Sequence, residues 1–245
     1  MVLGVYLIVE KIFLFLFGIA LGSAGNALID RLPRNESWFK GRSHCDKCKH
    51  ELGMWDLIPI FSFIYLRGKC RYCQSPIPFR NIIIELFFGL VSINIITVIN
   101  FINIIIFLTV WVSLVIAVMD WETKMVSEIL ILIWGILSLI NGFRLDGILI
   151  GVGLIGGIWA VSRGRAMGFG DVEIAAVMGL SLGWQKMLAA LWIAFVVGAA
   201  YGLVLMINKK AKFKSTVAFG PFLILGYWVA YHWGNNLIKY FIGYG

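Results

Sequence analysis

Residues 101–120 read FINIIIFLTVWVSLVIAVMD, a predominantly apolar run that ends in a carboxylate. A membrane-spanning helix needs about 20 apolar residues, because the hydrocarbon core of a bilayer is about 30 Å thick and a helix rises 1.5 Å per residue. The run therefore predicts a transmembrane helix with Asp120 at one end. Ionisable side chains at membrane depth are costly and usually face a protein interior or a water-filled cavity, so Asp120 is a candidate functional residue.

Seven further segments have the same apolar character. They are 12–29, 82–99, 126–143, 146–162, 171–184, 187–207 and 217–238. With residues 101–119 they predict an all-α polytopic membrane protein with about eight transmembrane helices, since the runs are too long for strands and do not alternate. Of the 245 residues, 60% are hydrophobic and only 14% are charged, which excludes a soluble enzyme, a disordered chain and a disulfide-stapled secreted peptide.

The basic residues predict the orientation in the bilayer. If residues 30–81 are cytoplasmic, seventeen of the 21 Lys and Arg residues lie inside and four outside. Such a bias is expected from the positive-inside rule, and it places the N-terminus on the outer side. Because the basic residues lie in membrane-flanking loops, the net charge of +8 indicates a lipid bilayer as partner and no nucleic acid.

Four cysteines lie in the long polar loop, as the pairs Cys45/Cys48 and Cys70/Cys73 with 21 residues between the pairs. Two C-x-x-C pairs at this spacing, just outside the usual range, predict a tetrahedral zinc site. A disulfide framework is disfavoured because cytoplasmic thiols stay reduced. Free thiols or a redox pair are the alternatives, and His44 or His50 could replace a ligand. We expect structural zinc, since so short a loop cannot build a large core of its own.

A second carboxylate, Asp171, opens the sixth apolar segment after Gly168-Phe169-Gly170. The predicted orientation puts Asp120 and Asp171 at the same membrane depth. Two close carboxylates cannot both ionise, so one keeps a proton while the other activates water. The two glycines would let an extended peptide lie close to Asp171. The alternative is that Asp171 is a helix N-cap and that Asp120 only marks where a helix meets water.

These residues resemble the type IV prepilin peptidases, the bifunctional leader peptidase/N-methyltransferases, and the likeness runs nearly end to end. The matching motifs are Gly22-Ser23 with Asn26, Arg31-Leu32-Pro33, Asp56-Leu57-Ile58-Pro59, Leu66 to Cys73, Arg80 with Glu85, Asp120 with Thr123, Gly168 to Asp171, and Phe219-Gly220-Pro221.

The resemblance implies an inner-membrane aspartyl protease of the Gly-x-Gly-Asp type. Such enzymes cut the leader from type IV prepilins or pseudopilins at the cytoplasmic face, and members with the cysteine loop usually methylate the new N-terminus with S-adenosylmethionine. Asp120 and Asp171 match the catalytic pair, and the four cysteines match the metal-binding loop. The implied organisation is a first transmembrane helix (1–29), a cytoplasmic zinc loop (30–81) and a transmembrane aspartyl peptidase core (82–245).

The chain departs from the family pattern at two places near the aspartates. Val126-Ser127 stands where Ile-Pro is frequent, and Glu173 stands where Lys is usual. Glu85 is a candidate to hold the new ammonium group during methylation, or else it pairs with Arg80.

The spacing of glycines gives one further structural expectation, and two alternative functions remain. Glycines spaced by four, Gly147/Gly151 and Gly153/Gly157, are expected to pack helices closely. A non-enzymatic zinc-loop adaptor and a proton-coupled transporter are the alternative functions.

Overall fold

The computed structural model describes residues 2–37, 41–96, 99–209 and 217–242. The helices are α1 (Val2–Arg31), α2 (Phe61–Tyr65), α3 (Arg80–Ile95), α4 (Phe101–Thr123), α5 (Glu128–Asn141), α6 (Leu145–Gly151), α7 (Gly157–Ser162), α8 (Phe169–Ile207) and α9 (Gly220–Ile242). A π-helical stretch, Val152–Gly156, joins α6 to α7. Strand-like pairing in the described ranges consists of two isolated bridges in the cysteine loop.

The predicted all-α membrane class is confirmed: the apolar segments coincide largely with α1, α3, α4, α5, the continuous stretch from α6 to α7, α8 (two segments) and α9. Four helical stretches are long and apolar enough to cross a bilayer: Ile8–Arg34, Phe101–Thr123, Leu145–Ser162 and Phe169–Ile207. The helix α5 is apolar but shorter. The chain is therefore a multi-pass membrane protein.

Helix α8 contains two of the predicted segments. Its 39 residues would extend roughly 58 Å as one straight helix, about twice the thickness of a bilayer core. The helix breaks at Gly183, where φ is 71° and ψ is 171°. Only glycine adopts such a backbone readily, and the N–H of the next residue, Trp184, donates to Asp146 at 2.9 Å. The break lies one residue before the end of the predicted segment 171–184, close to where the two predicted segments part.

The chain forms two compact units, Met1–Trp111 and Val112–Gly245, and the boundary lies within α4. They are called the N-terminal unit and the C-terminal unit below. The functional division at residues 29 and 81 describes topology and chemistry, and it stays a prediction.

In the N-terminal unit, α1 and α3 approach through small residues. A Cβ on Gly18 would lie 2.2 Å from the carbonyl oxygen of Phe88, and one on Gly22 would lie 2.8 Å from Cα of Glu85. The buried hydroxyl of Ser92 donates to the carbonyl oxygen of Leu14 at 2.7 Å. Such close backbone contact is the usual basis of helix association in membranes.

In the C-terminal unit, Gly147 and Gly151 are confirmed as packing positions. A Cβ on Gly147 would lie 2.2 Å from the carbonyl oxygen of Gly179 on α8, and one on Gly151 would lie 2.6 Å from that of Ala175. The prediction was wrong for Gly153 and Gly157, because nothing lies within 4 Å of a Cβ at either. The π-helical stretch begins directly after Gly151. It changes the rotation per residue, so Gly153 and Gly157 do not continue the packing face of Gly147 and Gly151.

Candidate active site and metal centre

Asp120 lies in the last turn of α4 and is 6% exposed. Its Oδ2 accepts a hydrogen bond from the backbone N–H of Gly220, at 3.0 Å. The helix ends just beyond, where Lys124 adopts a φ of 55° and donates its N–H to the carbonyl oxygen of Asp120. A carboxylate at a helix end, covered by the start of another helix, is thereby held in one position.

Asp171 is the third residue of α8 and is 7% exposed. Its Oδ2 accepts the N–H of Gly168 at 3.0 Å, and its own N–H donates to the carbonyl oxygen of Gly168 at 3.3 Å. The N-cap position belongs to Gly168, not to Asp171. Asp171 therefore assists the helix start from inside the first turn, while its carboxylate is buried.

Both aspartates belong to the C-terminal unit. The charge of Asp120 acts on the carboxyl group of Asp171, so the groups are within electrostatic range. Gly220 is close to Asp120 and to the helical turn that follows Asp171. A Cβ on Gly220 would be 2.7 Å from Oδ2 of Asp120 and 3.1 Å from Cδ1 of Ile174. The structure thus provides two buried carboxyl groups that influence each other, so ionisation of one disfavours ionisation of the other.

The residues that depart from the family pattern lie around the starts of α5 and α8. A Cβ on Gly170 would lie 2.7 Å from Cγ2 of Val126, so the space above Gly170 holds a side chain. Ser127 is the N-cap of α5. The charge of Glu173 interacts with that of Glu128, at the start of α5.

The cysteine loop contains two turns with the same hydrogen bonds. The N–H of Cys45 donates to the carbonyl of His50 and its carbonyl accepts the N–H of Lys49, at 3.0 and 2.9 Å. Cys70 makes the equivalent bonds with Ser75 and Gln74, at 2.8 and 3.0 Å. Lys49 and Gln74 both have a φ of 58°. The loop is thus two copies of one knuckle.

The two knuckles bring all four thiols together, with every sulfur within 4.8 Å of the others. The Sγ atoms of Cys45 and Cys73 are 3.8 Å apart, and a tetrahedron with Zn–S bonds of about 2.3 Å would separate its sulfurs by about 3.8 Å. Hydrogen bonding from the Cys48 backbone lowers the pKa of the Cys45 thiol to about 6, which favours the thiolate that binds metal. The cluster could therefore hold zinc.

Neighbouring side chains brace the knuckles rather than complete the thiol cluster. The ring of His50 stacks against Tyr72 with centroids 3.6 Å apart, and so it joins one knuckle to the other. Asp56, whose side chain is 4% exposed, pairs with Arg71 at 2.8 Å. Its other oxygen accepts the N–H of Gly53 at 3.1 Å.

Glu85 is buried at 7% exposure in the first turns of α3. Its Oε2 accepts the N–H of Ile60 at 2.7 Å. Ile60 has a φ of 62°, which is rare for a β-branched residue. Arg80 pairs with Asp30 at 2.7 Å. The carboxylate of Glu85 therefore anchors a strained turn of the cysteine loop to the membrane helices.

Three contacts at these sites could not be found by reading the residues. They are the N–H of Gly220 on Asp120, the N–H of Ile60 on Glu85, and the pairing of Asp56 with Arg71. Each joins residues that are distant in sequence or uses a backbone group. Only the resemblance drew attention to Gly220 and Asp56.

The fold and site define a class of multi-pass helical membrane proteins with a buried pair of carboxyl groups and a four-cysteine loop. Residues 16–109 match the bacterial Peptidase A24 N-terminal domain, and residues 106–203 match the type IV leader peptidase family. The chain belongs to the type IV leader peptidase family and is an enzyme of the inner membrane. No solved structure matches it.

The chain is also similar, over most of its length, to curated proteins. It is 27% identical to the prepilin leader peptidase/N-methyltransferase of Aeromonas hydrophila, across 93% of this chain and 92% of the relative. The protein of that name from Stutzerimonas stutzeri is 29% identical, across 90% and 89%. The one from Burkholderia pseudomallei is 30% identical, across 80% and 69%.

Proposed function

We propose that this enzyme cuts the leader peptide from type IV prepilins or pseudopilins with Asp120 and Asp171, and then methylates the new N-terminus. The observation that carries the peptidase activity is the pair of buried carboxyl groups, each fixed through one oxygen by a backbone N–H. The relatives, which are named prepilin leader peptidase/N-methyltransferase, support both activities.

In the cleavage step, one aspartate is protonated and the other is a carboxylate. The carboxylate takes a proton from water as the water oxygen attacks the scissile carbonyl carbon, and the protonated partner gives its proton to the carbonyl oxygen. Return of a proton to the amide nitrogen releases the new amine as the C–N bond breaks. Acid–base transfer of this kind contributes about 10²–10⁴ in rate.

The hydrogen bonds to Oδ2 fix the direction of each carboxyl group. Within the described residues, Gly220 and Gly168 both bond to Oδ2, which leaves Oδ1 of each aspartate for water or substrate. We infer that Gly168 supports catalysis through its N–H, and that Gly170 does so by giving room to Val126. Positioned groups of this kind supply the larger part of the barrier reduction.

We infer from the distribution of basic residues that the cysteine loop and the aspartates face the cytoplasm, with the N-terminus outside. A prepilin would then present its basic leader at the inner surface. Cys45, Cys48, Cys70 and Cys73 would hold zinc, which folds the loop and supplies no catalytic step. S-adenosylmethionine would supply the methyl group when bound.

The test of the peptidase is cleavage of a synthetic prepilin by the purified full chain, with the cut position and the mass of the product measured together. Asp120→Asn and Asp171→Asn should each abolish cleavage while the melting temperature stays unchanged. Glu122→Gln, an exposed acid on the same helix as Asp120, is the matched control and should cleave normally. Near-normal cleavage by either aspartate variant would contradict the proposal.

The adaptor and the transporter are not favoured. The function of a non-enzymatic adaptor would survive either Asp→Asn change. A proton-coupled transporter would be expected to carry its acidic residues near the middle of the bilayer. Both aspartates instead lie at helix ends.

A further inference from the structure

The N-terminal unit contains a cavity of about 520 Å³ between the end of α1, the start of α3 and the cysteine loop. Its volume lies within the roughly 300–1,000 Å³ of small-molecule sites. Asn26, Glu85 and Cys70 each contribute to its wall from one of these three parts. The cavity takes no part in the cleavage proposed above.

Two buried oxygen acceptors line the cavity. Asn26 is 4% exposed and donates its Nδ2 to the carbonyl of Asn81 at 3.0 Å, but its Oδ1 has no partner within the described part of the chain. A buried acceptor without a partner is destabilising, so a bound ligand is expected to complete it. Glu85 adds a buried carboxylate.

The rest of the wall carries charged side chains of both signs in one part and apolar side chains in another. Arg31 lines the cavity and donates to the hydroxyl of Ser43 at 3.4 Å, so its guanidinium group is bonded there to a neutral partner. The apolar part includes Leu57, Phe63 and Ile77. A ligand that matches these surroundings has a cationic centre, a carboxylate and a flat apolar ring.

We propose that this cavity binds S-adenosylmethionine, an inference that rests on the methyltransferase activity proposed above. Its sulfonium and ammonium groups suit the oxygens of Glu85 and Asn26, because a buried carboxylate and an unpartnered carbonyl oxygen both attract cations. The ligand's carboxylate suits Arg31, and its adenine ring suits the apolar wall. Glu85 and Asn26 thereby become binding residues for the methyl donor.

The experiment measures direct binding to the full chain in nanodiscs by equilibrium dialysis, without peptide present. Labelled S-adenosylmethionine is titrated against wild type, Asn26→Leu and Glu85→Gln. We expect Asn26→Leu to weaken binding roughly tenfold or more, because it removes the acceptor at similar volume. Asn94→Leu, at an exposed position on α3, is the matched control and should bind as wild type does.

The charge of Glu85 is tested by comparing two ligands. S-adenosylhomocysteine lacks the sulfonium charge, so Glu85→Gln should weaken S-adenosylmethionine about tenfold more than S-adenosylhomocysteine. A variant that merely misfolds would lose both ligands equally, and zinc content and thermal unfolding check the fold independently. Equal loss in a folded Glu85→Gln, or unchanged binding in a folded Asn26→Leu, would overturn the assignment.

The wild-type protein separates this inference from the proposed function. Cleavage without any binding of S-adenosylmethionine would overturn the cavity assignment and leave the peptidase intact. Binding without cleavage would overturn the peptidase and support the cavity. A third outcome is that S-adenosylmethionine binds only when a cleaved peptide is present, and that the peptide alone occupies the cavity. This outcome would assign Glu85 to the new ammonium group of the peptide and overturn the proposal.

Discussion

The backbone N–H of Gly220 donates to Oδ2 of Asp120 at 3.0 Å, although the two residues are 100 positions apart in the sequence. The same glycine leaves no room for a side chain, because a Cβ would lie 2.7 Å from that oxygen. The start of α9 thus determines where the carboxylate of α4 points. This contact makes Gly220 part of the proposed active site.

Gly220→Ala should reduce prepilin cleavage by up to about a hundredfold, because displacement of a catalytic group by about 1 Å costs that much. The initial rate of cleavage by the purified variant measures the effect. Gly202→Ala is the matched control, since nothing lies within 4 Å of a Cβ there, and it should cleave as wild type does. Full activity of Gly220→Ala would show that the contact does not position Asp120.

Gly147→Ala should destabilise the C-terminal unit by about 1–3 kcal/mol, because overpacking forces backbones apart. The added carbon would lie 2.2 Å from the carbonyl oxygen of Gly179. Thermal unfolding in detergent measures the change. Gly153→Ala, which meets nothing within 4 Å, should leave the melting temperature equal or higher. Equal melting temperatures for the two variants would contradict the packing described for α6 and α8.

Loss of the hydroxyl group should change the free energy of unfolding differently at two buried serines. The hydroxyl of Ser92 donates to Leu14 at 2.7 Å, so Ser92→Ala should cost about 0.6–1.5 kcal/mol. The Oγ of Ser138 is buried without a partner within the described residues, so Ser138→Ala should be neutral or stabilising. Chemical unfolding of both variants beside wild type measures the difference, and a larger loss at Ser138 would refute it.

The thiols, and not the flanking histidines, should determine zinc binding. Cys70→Ser should lose the metal, because Cys70 supplies one of four clustered sulfurs. His44→Ala and His50→Ala should each keep one zinc per chain, although loss of the His50 stack on Tyr72 should speed its release to a chelator. Elemental analysis of the purified proteins gives the count, and zinc loss in either histidine variant would assign that residue as a ligand.

Hydropathy predicted the helices well because a bilayer demands long apolar runs with internally satisfied backbones. It also separated the two halves of α8, whose boundary lies at Gly183. It failed at Gly153 and Gly157, where spacing predicted packing and the helix instead turns them outward after a π-helical stretch. A four-residue spacing cannot reveal which glycines face a neighbour when the local helix geometry changes.

The candidate sites were predictable where chemistry needs side chains of a fixed type. Cysteine spacing indicated the thiol cluster, and membrane depth indicated Asp120 and Asp171. Backbone donors gave no such signal, so the N–H groups of Gly220 and Ile60 came only from the structure. Asn26 was only part of a motif until the fold buried its Oδ1 beside a cavity.

Cys45 and Cys70 belong both to the thiol cluster and to the wall of the cavity in the N-terminal unit. Each knuckle thus contributes a cysteine both to the candidate zinc site and to the cavity proposed to bind S-adenosylmethionine. Starvation for zinc would then act selectively on methylation, since the proposed cleavage uses aspartates that belong to the other unit. Cells depleted of the metal would be expected to accumulate trimmed pilins that lack the N-terminal methyl group.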